Sequence, residues 1–349
     1  MLFPKFINTK FFLFLFISIS SAFILFEKYK PLIYTNFFEE GLPNFSNDYL
    51  LRTFFILLTT FIVLIGFIYK KQPESLFLNK KITKIEKYGT LFAISLSILF
   101  LLIFLFNTSL FNQLSLEYSL IESCSAFFLL ASSFVFAYLA IKKSFALKLS
   151  KKIKWSFFLL SIGFFVIGME EISWFQRVFD FETPATFSDN IQNEFNLHNF
   201  ETDIVEHIYY FGAFVFLVVT PFIATIKPKL FNTNYLKLLT PRPYIIVIAS
   251  IASSYNFEMW NSIITQTTFF LAVMILFALA YFSKKRVAKI IISFYIIVLI
   301  IQQVLFLNNP LNYHRGWEIT EYKEFFIPLA FFVFSLDVFF RISKKVKTD

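Results

Sequence analysis

Two adjacent glutamates in the stretch Gly168-Met-Glu-Glu-Ile-Ser-Trp-Phe-Gln-Arg177 are the residues best suited to chemistry in this chain. A carboxyl held out of water can act as a general base or ligate a divalent cation. The stretch continues an apolar run that opens near Trp155. At a helical rise of about 1.5 Å per residue, Glu170 would stand about 22 Å above Trp155, inside a hydrocarbon core of about 30 Å. Acids at that depth cost a few kcal/mol each unless they face protein or a water-filled cavity. On a continuous helix Glu170, Ser173 and Arg177 share a face at i, i+3 and i+7. Arg177 would then offset Glu170 or hold an anionic substrate group. The plainer reading makes Glu170 and Arg177 an ion pair that ties helices together, with Glu171 reaching the headgroups.

A second polar stretch is Asn190-x-Gln192-x-Glu194-x-Asn196-Leu-His198-Asn199, followed by Glu201, Asp203, Glu206 and His207. Segment 180–206 has helical spacing, with Ser188 as a cap and Ile191, Phe195, Phe200 and Ile204 as the apolar face. It is expected to form a short helix along the membrane surface. On such a helix Glu194, His198 and Glu201 align at i, i+4 and i+7, a spacing able to hold a divalent metal. There is no H-E-x-x-H signature, and a solvated, hydrogen-bonded helix is favoured over a metal site. Other acids fall at the same level: Glu117 and Glu122 before the fourth apolar run, Glu258 between later ones, and Glu318, Glu321 and Glu324 before the last. Together they could converge on one polar pocket. The candidate catalytic residues are Glu170, Glu171, Arg177 and His198. The candidate substrate-binding residues are Ser173, Trp174, Gln176, Asn199 and Glu122.

The elements that must position these residues are membrane spans. Hydrophobic residues make up 57% of the 349 and charged residues 16%, against about 25% charged in soluble domains. The apolar runs are apolar all round, so they face lipid or each other. The expected fold is all-α, a polytopic bundle forming a single integral membrane domain over 1–349. About ten spans are expected, near 11–27, 52–69, 89–107, 119–141, 155–179, 207–226, 243–257, 263–282, 288–307 and 325–341. The first run, behind Lys5 and Lys10, lacks an A-x-A cleavage site and reads as a retained helix. The 55 Phe read as lipid-facing side chains.

Charge gives an independent test of this layout. With the N-terminus inside, all but six of the 32 Lys and Arg fall in cytoplasmic segments. The six are Lys28, Lys30, Arg52, Arg177, Arg315 and Lys323. Basic residues concentrate on the cytoplasmic side of membrane proteins, so both termini are expected inside. Of the 23 acids only Glu74, Glu86, Asp337 and Asp349 lie away from the outer level. The net charge of +9 is thus a topology signal, and no nucleic-acid partner is expected. Seven glycines include no P-loop or G-x-G-x-x-G turn, which argues against a nucleotide site. The single cysteine, Cys124, excludes an internal disulfide.

The motif Glu170-Glu-Ile-Ser-Trp-x-Gln-Arg177, then Thr183-Pro184, then Asn190-x-Gln-x-Glu-x-Asn-Leu-His-Asn199 resembles an uncharacterised bacterial family of multi-pass inner-membrane proteins. The family's pattern is E-E-x-S-W-G-Q-R, T-P and N-x-Q-x-E-x-x-L-H-N. The likeness covers about 30 residues and, loosely, Glu117 and Glu122. This chain has Phe175 where that pattern has Gly. The resemblance implies a bacterial inner-membrane protein with a shared polar site, and no particular activity. A separate, fainter likeness of Glu122-Ser-Cys-Ser125 to exosortase-like cysteine enzymes would need Cys124, Arg177 and His198 or His207 together.

Three functions fit these residues. The favoured one is a membrane-embedded enzyme acting on a lipid or lipid-linked substrate at the extracytoplasmic face. Glu170 or Glu171 would be its base and Arg177 its phosphate clamp. The alternatives are a proton- or cation-coupled transporter and a structural component of an envelope assembly. Membrane lipids are the expected surroundings. A lipid-linked substrate is a further candidate partner, the sequence names no protein partner, and it leaves the cofactor open, with a divalent metal possible but not favoured.

Overall fold

The computed structural model describes residues 40–68, 83–116, 119–143, 149–187, 190 and 194–345, and within the first expected span only 15, 17–19 and 21. The side chains of Arg177 and His198 lie outside the described set, as do Glu117, Ser188, Ile191 and Gln192 and most of the expected span 11–27.

Among the described residues the chain is helical with no strand. The helices are α1 (Asn47–Ile68), α2 (Lys84–Phe106), α3 (Thr108–Leu114), α4 (Leu120–Tyr138) and α5 (Lys151–Glu171). Then come α6 (Gln176–Phe179), α7 (Thr202–Phe214), α8 (Thr220–Ile226), α9 (Asn234–Leu239) and α10 (Pro243–Ala249). The last three are α11 (Ile263–Phe282), α12 (Arg286–Asn308) and α13 (Glu318–Lys345). A π-helical turn, Val215–Val219, joins α7 to α8. The described residues thus contain nine helical segments long and apolar enough to cross a membrane. They correspond to the nine expected spans after the first.

Burial shows which helices are central. Of the apolar window of α13, 72% is buried, against 28% in α1. α13 packs on α4, α10 and α2, while α11 lies against α1, α7 and α12. The outer helices turn Phe54, Phe61, Leu102, Phe134 and Leu159 outward. These are sides that lipid chains, not water, would cover.

The segment Asn234–Ser254 is broken, and the sequence states why. Thr240-Pro-Arg-Pro243 ends α9, because proline has no N–H to donate and disfavours helix in the residue before it. Pro243 then starts α10 at the one turn where that N–H is not missed. After Ala249 the backbone passes through short 3-10 turns to Ser262. Such backbone is tolerated at membrane depth only inside protein, and every residue from 244 to 262 is buried. Several of its polar groups find partners there. The Asn256 amide donates to Gln303 Oε1 at 2.8 Å, and Gln303 Nε2 donates to the Asn256 carbonyl at 2.7 Å. Gln266 Nε2 donates to the Trp260 carbonyl at 2.9 Å.

One end of the bundle is closed by ions. Arg242 pairs with Glu86 at 2.8 Å and with the fully buried Asp337, whose other oxygen lies 2.9 Å from Arg341 Nε. Glu86 also completes a capping box with Thr83 at the start of α2. Removing the shared acid would leave two guanidiniums facing each other, a change that costs about 3 kcal/mol or more at a buried pair. Asp337→Asn is therefore expected to lower the unfolding free energy by about 3 kcal/mol. Asp337→Leu combined with Arg242→Met and Arg341→Met, which removes both guanidiniums along with the acid, should recover most of that loss in a denaturation series in detergent.

A candidate acidic site at one end of the bundle

The helix carrying Glu170 and Glu171 stops where those residues stand. α5 ends at Glu171, and Ser173, Trp174 and Phe175 adopt φ of 44°, 53° and 63°. Left-handed backbone costs a non-glycine residue roughly 1–2 kcal/mol. The expected helix through 179 is thereby corrected, and Glu170, Ser173 and Arg177 do not share a helical face. Position 175 is itself left-handed, a conformation that glycine would occupy without strain.

Hydrogen bonds hold this reversed turn. Glu170 accepts from Trp174 Nε1 at 2.7 Å and from the Leu197 N–H at 2.6 Å. The buried Ser173 hydroxyl donates to Glu194 Oε2 at 2.7 Å, which also accepts from Asn196 at 3.2 Å. Gln176 donates to Thr183 Oγ1 at 2.7 Å and accepts from the Phe195 N–H at 2.6 Å. Asn190 donates to the Glu194 carbonyl at 2.6 Å, and Asn196 Oδ1 accepts the Asn199 N–H at 3.3 Å. Side chains that bond local backbone compete with helix formation. Accordingly, the described part of 180–206 holds 3-10 turns at Ala185–Phe187 and His198–Phe200 rather than a continuous surface helix, and α7 begins at Thr202. Glu194 is buried with Ser173 while Glu201 is exposed, so the aligned Glu194, His198 and Glu201 face does not form. Among the described residues no group of three or more His, Cys, Asp or Glu is arranged to hold a metal.

The knot leaves Glu171 pointing elsewhere. Its carboxyl lies within Coulombic range of Glu324, Glu122, Glu321 and Glu206. These five acids come from α4, α5, α7 and α13. On α7 the Tyr210 hydroxyl is 3.0 Å from Glu206 and 2.5 Å from Glu324. A phenol has one proton. Serving both carboxyls at once requires a second proton on one of them, so the three groups form a proton-sharing chain. Pro328, four residues beyond Glu324 in α13, has no N–H for the Glu324 carbonyl, which frees the backbone there as well.

Beside this chain sits a second group. Glu258 accepts from the Thr320 hydroxyl. Burial pushes it up from 4.5 to about 7, Glu318 adds to the rise, and Thr320 and Lys323 oppose it. Glu40 is likewise raised to about 7, by burial first and then by Asp203 and Glu258, with Lys323 opposing. The chain around Glu40 is laid over Glu258: the Gly41 N–H donates to the Glu258 carbonyl at 2.8 Å, and Asn261 bonds Leu42 and Asn44. Lys323 is buried, with its amine 3.6 Å from Met259 Sδ and 4.8 Å from the centre of the Tyr210 ring.

A crevice opens beside Tyr210 and Lys323. His207, Tyr210, Asn256 and Lys323 line its polar end, and Phe211, Phe214, Leu217 and Ile327 its apolar length. His207 Nδ1 is 2.6 Å from the Asp203 carbonyl. A carbonyl only accepts, so Nδ1 carries a proton.

Of the residues singled out from sequence, the structure brings Glu171 and Glu122 together. It places Glu170, Ser173, Trp174, Gln176, Glu194 and Asn199 in or beside the hydrogen-bonded knot. Tyr210 and Lys323 carried no sequence signal as site residues. The one available clue was three ionisable groups, Glu321, Lys323 and Glu324, opening an otherwise apolar helix. Comparison of the chain with protein-family models, curated proteins and solved structures finds no match.

Two outcomes follow from this geometry. Phe175→Gly should leave the melting temperature in detergent unchanged or higher. Phe175→Val, a branched side chain at a left-handed position, should destabilise by about 1 kcal/mol or more. The second outcome concerns pH. Glu258 and Glu40 keep protons in the fold at a pH where the unfolded chain has lost them. Stability is therefore greatest below about 4.5 and falls as pH rises to about 7, then levels. For Glu258 the contribution reaches about 3 kcal/mol. Glu258→Gln should flatten that slope in a melting series from pH 5 to 8.

Proposed function

We propose that the chain is a membrane-embedded enzyme acting by proton transfer on an amphipathic, lipid-anchored substrate seated in the crevice. One observation carries this reading. A single crevice joins an apolar length, suited to a hydrocarbon chain, to a polar end lined by His207, Tyr210, Asn256 and Lys323, and the Tyr210 hydroxyl there bonds Glu206 and Glu324. Glu258, with its proton held to about pH 7, is matched to acid–base work near neutrality. Glu171 and the Glu206–Tyr210–Glu324 chain supply further proton-carrying groups. Glu170 acts indirectly, by fixing the turn that aims Glu171.

The proposed topology is ten spans with both termini in the cytoplasm of a bacterial inner membrane, the acidic end facing outward. It is supported by the basic loops, which gather at the opposite end of the helices from Glu40, Glu171, Glu258 and Glu324.

A proton- or cation-coupled transporter is the second reading, and the broken segment Asn234–Ser254 favours it, because interrupted helices often build transport sites. Against it, α13 carries only Ser335 as a polar side chain between Glu324 and Asp337, an apolar stretch of roughly 20 Å. Native mass spectrometry of the gently solubilised protein separates the two. The enzyme reading expects a retained amphipathic molecule that Glu171→Gln loses. An empty wild-type protein, together with proton flux in liposomes that Glu171→Gln abolishes, would establish the transporter instead.

A further inference from the structure

We propose that the polar end of the crevice is a water site, where one or two water molecules bind between the Lys323 ammonium and the Asn256 side chain. The site is one of hydration, so it serves an enzyme and a transporter alike and does not rest on which substrate the protein takes.

Room sets the size of the ligand. The crevice leaves about 30 Å³ for the centres of water molecules, and one water needs roughly 10–15 Å³ on that measure, together with about two to four polar partners. The donors come from Lys323, which is 4% exposed and lines the crevice. An ammonium has three N–H groups and no acceptor. Among the described residues its one hydrogen-bond acceptor is Met259 Sδ at 3.6 Å, and a thioether accepts weakly. Glu258, Glu206, Glu324 and Glu40 lie within Coulombic range of the amine, and among the described residues none of them forms an ion pair with it.

The acceptors come from other elements lining the same crevice. Asn256 is 1% exposed, and its Nδ2 donates to the Ser253 carbonyl at 2.6 Å and to Gln303 Oε1 at 2.8 Å. Both amide protons are thereby used and the side chain is fixed, with Oδ1 left to accept. The Ser253 and Thr268 hydroxyls give their single protons to the Ser250 and Thr265 carbonyls, at 2.7 and 2.9 Å. Their oxygens can therefore only accept further bonds. A cation would leave the N–H groups of Lys323 unmet and face their charge. An anion would enter the field of the four carboxyls. Water accepts from the ammonium, donates to the oxygens and adds no charge, and such a bridge is nearly as good as a direct hydrogen bond. The Tyr210 ring, 4.8 Å from the amine, lines the same space, so the phenol that joins Glu206 to Glu324 borders the bound water.

The test is X-ray radiolytic footprinting of the full chain in detergent, read by mass spectrometry of its peptides. Radiolysis makes hydroxyl radicals from water, so labelling inside the bundle marks side chains that touch water. Tyr210, at the crevice, is compared with Tyr322, which is fully buried and does not line it. In wild type Tyr210 is expected to label at least tenfold faster than Tyr322. Lys323→Met removes the donors and should bring Tyr210 down to the rate of Tyr322. Ala213→Leu fills the crevice without touching a charged group and should do the same. A circular dichroism melt confirms that each variant is folded, and Ala213→Leu decides the matter if Lys323→Met does not fold. Labelling of wild-type Tyr210 no faster than Tyr322 would overturn the water site. So would a folded Ala213→Leu that keeps the wild-type rate, because the radicals would then come from outside the crevice. A folded Lys323→Met that keeps that rate would overturn the role of the lysine.

Discussion

A carboxyl removed from water is costly in a helical membrane fold unless it finds a partner, and this bundle gathers several carboxyls at one end. Glu122, Glu171, Glu206, Glu321 and Glu324 sit near one another on four helices. The Tyr210 hydroxyl between Glu206 and Glu324 and the amine of Lys323 nearby are the local compensation. Much of the surrounding structure can be read as support for that cluster. The reversed turn after α5 aims one acid, α13 brings two, and the segment around Glu40 covers the group from above. At the opposite end the solution differs. Asp337 meets two arginines directly, which neutralises the ions against each other and offers nothing to a ligand. One end is closed by direct ion pairs, whereas at the other hydroxyl groups meet carboxyls, Tyr210 at Glu206 and Glu324 and Thr320 at Glu258.

The spans were legible in the sequence because their cause is local. Runs such as Leu91–Phe106 are apolar over the full width of a bilayer, and length alone identifies them. The nine described helical segments fall where the runs do. The region 168–206 was legible as important and illegible in shape. Glu194, His198 and Glu201 have helical spacing, but spacing cannot show that Asn190 and Asn196 bond the backbone between them or that Ser173 reaches 21 residues along the chain to Glu194. The asparagine bonds are local competitors of the helix and the Ser173 bond is long-range, and together they override the periodicity. The end of α5 was missed for the same reason. Three consecutive left-handed residues, none of them glycine, have no local signal. They exist because the knot around them outweighs their strain.

The motif that looked most like an active site therefore divides. Glu170, Ser173, Trp174, Gln176, Asn190, Glu194 and Asn196 bond one another or nearby backbone. Glu171 is the member that leaves the knot and joins the acids of other helices. A dense polar motif can be dense because it builds a rigid frame. The groups facing the crevice, Tyr210 and Lys323, stand in ordinary helical surroundings and gain their meaning only from what packs against them.

The broken segment Asn234–Ser254 also bears on how the protein is made. It has the lowest mean hydropathy of the nine, 1.2, and two prolines interrupt it. A stretch of that kind partitions weakly into lipid by itself, and its irregular backbone is tolerated only when enclosed by protein. Much of that enclosure is α13, which leaves the ribosome about 70 residues after α10. The middle of the chain must therefore wait for a later part of it. Until α13 inserts, α10 and the turns beyond it remain unsheathed in the translocation machinery or against an incomplete bundle. The same helix brings Glu321, Lys323 and Glu324, so these members of the acidic cluster arrive in the step that encloses the broken segment.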